Sequence, residues 1–106
     1  MGFKNNNYKM EKFGTTITIP AYAKIIEMHN GFDGYSEAIF GIKANREAFD
    51  DSTIEYMATE KVYFQFDKKC NAYDVAYTLA KKQLKDEYGK VTHTYPFFGW
   101  QDDINY

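Results

Sequence analysis

Gly14-Thr-Thr-Ile-Thr-Ile-Pro20-Ala-Tyr-Ala-Lys-Ile-Ile-Glu-Met-His-Asn-Gly31 is the stretch on which the fold reading turns. After Gly14 come five β-branched residues that alternate, with Thr16 and Thr18 against Thr15, Ile17 and Ile19, which favours an extended strand. Pro20 suits the first position of a helix, where its missing N–H costs nothing. At 100° per residue, Ala21, Tyr22, Ile25, Ile26 and Met28 share an arc opposite Lys24, Glu27 and Asn30. Gly31 fits the position just past a helix end. The stretch therefore predicts a strand followed by a helix.

Working outward, Asp33-Gly34 signals a turn, and Tyr35 to Lys43 alternates as a strand. Residues 45–60 predict a short acidic helix, with Asn45 or the capping box Ser52-x-x-Glu55 at its start. Lys61 to Asp67 is the clearest strand, with Val62, Phe64 and Phe66 on one side. Asn71 caps a helix expected over Ala72 to Tyr88, closed by Gly89. Val91 to Tyr95 reads as a last strand, stopped by Pro96. Setting the short helix aside, the order is βαββαβ. That order predicts an α+β domain, a ferredoxin-like plait with an inserted short acidic helix; another three-layer α/β arrangement is the alternative. Residues 1–13 are expected as an N-terminal arm, 14–98 as one domain and 99–106 as an aromatic, acidic tail.

The chain has 106 residues, enough for one domain with a modest core. Its hydrophobic share of 44% argues against general disorder. No apolar run is long enough for a membrane-spanning helix, and residues 1–7 lack the apolar core of a secretion signal. Asn6 stands where a myristoylation signal wants Ser or Thr. A single cysteine excludes an internal disulfide and a zinc site built on cysteines. These features predict a soluble cytoplasmic protein with no membrane partner, no cofactor and no metal.

Ten Tyr, nine Phe and one Trp stand beside only two leucines, Leu79 and Leu84. Tyrosine gives contact area at low entropic cost and is favoured at recognition surfaces. Twelve of the thirteen basic residues are lysines, and Arg46 is the one arginine. Arginine is the better reader of bases and phosphates, so this balance weighs against nucleic-acid recognition. The net charge of -2 agrees. The Lys, Asn, Ile, Tyr and Phe usage matches AT-rich codons, which suggests an AT-rich bacterium or its phage.

No catalytic or nucleotide-binding motif is present. His29 and His93 have no placed partner in the sequence, and two histidines alone do not make a metal site. Cys70 follows Lys68 and Lys69 and precedes a helix N-terminus, both of which lower a thiol pKa, but no histidine or second cysteine accompanies it. Lys68, Lys69, Lys81, Lys82 and Lys85 could contact phosphates, although helices often carry such solvated faces.

The tail is the favoured recognition element. Phe97, Phe98 and Trp100 would serve as anchors and Asp102, Asp103 and Tyr106 as rim, with Tyr63 added from the clearest strand. Folding back onto the core is the competing fate of those rings. The functional expectation is a non-enzymatic protein-binding or regulatory module. A phage or mobile-element inhibitor of a host nuclease or defence system, such as an anti-CRISPR or anti-restriction protein, fits that expectation. A homodimer is compatible with it. A single-stranded nucleic-acid binder is the alternative, and a small enzyme or ligand-binding domain using His29, His93 or Cys70 is the second alternative.

Overall fold

A computed structural model describes residues 2–30, 35–65 and 71–103. Strand β1 (Gly2–Lys12) and strand β2 (Thr15–Asn30) form a long antiparallel hairpin. Strand β3 (Tyr35–Lys43), a 3-10 turn (Glu47–Asp50) and strand β4 (Ala58–Gln65) follow. Then come helix α1 (Ala72–Ala80), the small hairpin of β5 (Gln83–Lys85) and β6 (Val91–Thr94), and the short strand β7 (Gln101–Asp103). The main sheet has the order β4-β3-β2-β1-β7, and every described pairing in it is antiparallel.

Neither the ferredoxin-like plait nor the three-layer α/β alternative describes this chain. One antiparallel sheet carries one helix, and residues 15–30 continue as a single strand where a strand and a helix were expected. The physical reason lies in how the strand uses its small residues. Ala21 and Ala23 read as helix formers, yet here they are fully buried on the helix-covered face, where their size leaves room for rings. Ala23 sits opposite Phe3 and Ile25 opposite Phe40. Tertiary packing thus overrides helix propensity.

Pro20 is tolerated for a local reason. It lies between the pairs Asn5↔Ala21 and Tyr8↔Ile19, opposite a bulge that holds Asn6 and Asn7. Its missing N–H therefore falls where the ladder is already interrupted, and β3 joins β2 only from Tyr22 onward. The bulge supplies its own acceptor, because the Asn7 N–H donates to Asn5 Oδ1 at 2.9 Å. A second bulge falls between Ile25 and Glu27, and there the Ile25 N–H donates to the Tyr77 hydroxyl at 3.1 Å.

The expected helix over 72–88 ends at Ala80. Asn71 caps it as predicted, accepting from the Tyr73 and Asp74 N–H groups. At the other end the returning chain takes over: the Phe97 N–H donates to the Ala80 carbonyl and the Tyr95 N–H to that of Lys82. Asp86 then closes the β5–β6 turn by accepting from the Tyr88 and Lys90 N–H groups at 2.9 Å each. The capping box at Ser52 starts no helix; Asn45 instead caps the 3-10 turn through the Ala48 N–H.

The core is aromatic. Phe3, Phe40, Tyr77 and Phe97 pack with ring centres 4.8 to 5.9 Å apart, and Trp100 meets Phe97 edge-on at 4.9 Å. Residues 2–12, expected as an arm, provide Phe3 to this cluster. Residues 99–103, expected within the tail, provide Trp100 and the edge strand β7.

The opposite face of the sheet is half covered. Residues 44–57 fold over it, with Tyr56 against Gly41 and Phe49 against Tyr22. The buried Lys43 ammonium pins this loop by donating to the Ala48 and Asp51 carbonyls and lying against the rings of Phe49 and Tyr56. Among the described residues, no helix is long and apolar enough to cross a membrane.

Candidate functional site

The strand alternation decides which side chains reach a surface. On β3 and β4, the residues Ser36, Ala38, Phe40, Val62 and Phe64 point into the core. The intervening Tyr35 and Tyr63 point the other way and are 58% and 64% exposed. They lie on adjacent strands close to the sheet end where β2 finishes, because Asn30 pairs with Ser36 and Tyr35 with Gln65.

Beside them the edge of β4 borders a hollow of about 420 Å³ lined by Tyr35, Tyr63, Phe64, Gln65, Val75, Leu79 and Tyr95. Helix α1 supplies Val75 and Leu79 because residues four apart share one helical face. Tyr95 arrives from the segment after β6, held by its N–H bond to the Lys82 carbonyl. A second hollow of about 510 Å³ continues along β4 and shares Tyr63 and Tyr95, adding Glu60, Lys61 and His93. Lys61 lies 3.6 Å from Glu37, so its charge is partly matched within the sheet. The walls are aromatic and aliphatic with a few polar groups at the rim, an arrangement that suits an apolar side chain.

The tail residues divide. Phe97 and Trp100 are core residues, fully and almost fully buried, so the fold-back fate holds for them. Phe98 is 50% exposed at the turn between them. Asp102 lies 3.0 Å from the Lys81 ammonium. Asp103 accepts from the Tyr22 hydroxyl at 3.0 Å and lies 3.6 Å from Arg46. Burial and the hydrogen bond to Asp103 raise the Tyr22 pKa far above its ordinary value. Tyr63 is exposed as the sequence reading wants. Tyr106 lies outside the described residues.

Of the lysines considered for phosphate contact, Lys81 is engaged by Asp102 and lies 5.7 Å from the Phe3 ring centre. Lys82 and Lys85 are exposed beyond the helix end, Lys85 within β5. Lys68, Lys69 and Cys70 lie outside the described residues.

The histidines do not converge. His29 is on β2, with Nε2 3.1 Å from Glu27 Oε2, and both side chains are more than half exposed. The helix reading sent Glu27 to the far side of His29; in a strand, residues two apart share a face, so they meet. His93 is on β6, edge-on to Tyr95 at 4.4 Å. Among the described residues no group of three or more His, Cys, Asp or Glu could hold a metal ion.

Sequence reasoning missed the roles of Tyr35, Val75 and Leu79. The outward alternation of Tyr35 was visible, but its proximity to α1 depends on the true sheet order. It also missed Phe13, which lies at the β1–β2 turn with its side chain wholly exposed. No family model, curated protein or solved structure matches this chain.

Proposed function

We propose that this chain is a non-enzymatic protein-binding module that receives an apolar side chain of its partner in the tyrosine-lined hollow beside β4. The observation that carries this reading is the exposed pair Tyr35 and Tyr63, which share the lining of the hollow with Val75, Leu79 and Tyr95. Among the described rings, Phe3, Tyr22, Phe40, Phe64, Tyr77, Phe97 and Trp100 are buried. Phe13, Tyr35, Tyr56, Tyr63, Tyr73, Tyr88 and Phe98 are exposed. An interior that absorbs only part of its rings leaves others for contact, and tyrosine is enriched among residues that dominate binding energy.

Nucleic acid is the weaker reading. The single arginine lies beside Asp103, Lys81 lies beside Asp102, and the net charge is -2, so the phosphate-directed charge is partly matched. A salt titration against a labelled single-stranded oligonucleotide separates the two. Weak binding at physiological salt is expected, and tight binding that falls steeply with salt overturns the protein reading. Affinity capture with the full chain and with Tyr63→Ala tests the site. Loss of the captured partner on Tyr63→Ala, with unchanged thermal stability, is the expected result.

A further inference from the structure

The β1–β2 hairpin ends in a two-residue turn at Phe13 and Gly14, with φ of 53° and 77°. Two successive left-handed residues are the mark of a type I′ hairpin turn, which favours Asn-Gly. The turn fixes which way each backbone group of β1 points. The Lys12 carbonyl accepts from the Thr15 hydroxyl at 3.0 Å, so it faces β2. Backbone groups alternate between the two sides of a strand, so the N–H and C=O of Met10 and Tyr8 also face β2. Those of Lys9 and Glu11 face the other way, toward the outer edge of the sheet.

That edge is open beyond its first residues. β7 pairs with β1 only from Gly2 to Lys4, so among the described residues no strand covers Lys9 to Lys12 on that side. A row of unpaired N–H and C=O groups is a template for another strand. Lys9 and Glu11 stand two apart on one face and are both exposed. Their neighbours across the hairpin are Thr18 and Thr16, and among the described residues neither charge enters a salt bridge.

The order of these charges selects the occupant. When two copies of one strand pair antiparallel about a two-fold axis, one residue must lie opposite itself. Centred on Met10, such a pairing sets Lys9 of each copy opposite Glu11 of the other. The residues that carry the charges also carry the outward backbone groups, so each Lys9–Glu11 pair would exchange both its N–H···O=C bonds. The other edges lack this self-complementarity. On β4, Glu60 and Lys61 are adjacent, and no two-fold pairing sets one opposite the other. On β7, Asp102 is held by Lys81 and Asp103 by Tyr22 and Arg46. The stretch of β2 that β3 leaves free, Thr15 to Ala21, has no charge and contains Pro20.

We propose that two copies of this chain join through the outer edge of β1, antiparallel and centred on Met10, so that their sheets continue as one. The contact is isologous and closes at the dimer. It uses the opposite side of the sheet from β4 and does not rest on the role given to the hollow there.

Sedimentation velocity of the full chain, from micromolar to millimolar concentration, tests it. The wild-type protein should pass from monomer to dimer and stop there. Lys9→Glu sets acid against acid and Glu11→Lys sets base against base, so each alone should stay monomeric over the same range. Mixed in equal amounts, the two variants should form a dimer holding one copy of each. Lys9→Pro removes an outward N–H that the hairpin does not use, and it should also stay monomeric with its fold intact. If that variant does not fold, the mixing experiment decides. Wild-type protein that remains monomeric throughout overturns the proposal. So does dimerisation that survives either charge reversal, a mixture of the two that stays monomeric, or growth past the dimer.

Discussion

Phe13 holds a left-handed backbone angle that costs a bulky residue roughly 1–2 kcal/mol, which asparagine largely avoids. Phe13→Asn is therefore expected to raise the unfolding free energy by about 1 kcal/mol, read from urea midpoints at unchanged m-value. A drop would mean that the ring supports the fold. Tyr77 presents the reverse case. Its hydroxyl accepts the Ile25 N–H beside a bulge, and Tyr77→Phe leaves that donor buried without its acceptor. A loss of about 1–3 kcal/mol is expected in the same measurement. Neither role was legible beforehand. Phe13-Gly14 lacks the Asn-Gly signature of its turn, and nothing around Tyr77 in the sequence signals that its oxygen serves a strand across the core.

At the scale of elements, legibility followed periodicity. β3 and the second half of β4 alternate strictly, and the sequence reading placed both, whereas it gave the start of β4 to a short helix. β2 defeated it because Ala21 to Met28 satisfies a helical arc as well as a strand whose register is shifted by a bulge. The predicted long helix failed at Ala80, since the partner that takes over its last carbonyls is the Phe97 N–H, which is distant in sequence. The 44–57 loop offers an element-scale test. A Cβ at Gly41 would come within 2.6 Å of the Tyr56 ring and 3.1 Å of Ile26 Cγ2. Gly41→Ala should lift Tyr56 from the sheet at a cost of about 1–3 kcal/mol. Limited proteolysis should then cut within 44–57 faster than in the wild-type protein, and equal rates would show that the ring does not hold the loop.

For the molecule as a whole, the aromatic surplus was legible but its allocation was not. Composition announced too many rings for a small interior, yet it could not say that Phe97 and Trp100 go inward while Tyr35 and Phe13 go outward. That division depends on β1 lying between β2 and β7, a neighbourhood that no local pattern records. The same arrangement makes stability sensitive to alkali. Tyr22, buried and bonded to Asp103, has its pKa raised above the ordinary 10.0. Its neutral form is favoured in the folded state, so its contribution is intact below 10.0 and is lost as pH rises beyond it. Urea midpoints of the wild-type protein should fall more steeply above that pH than those of Tyr22→Phe, and parallel curves would refute the linkage.

A ribosome delivers Phe97 long after Phe3, although each is the other's neighbour in the core. While synthesis has passed only α1, the earliest strand lacks both its flanking β7 and the ring that closes over it. Completion of the hydrophobic interior must therefore wait until the later segment emerges, because a contact so distant in sequence closes a long loop. During that delay the nascent polypeptide displays phenylalanines of the kind that chaperones bind.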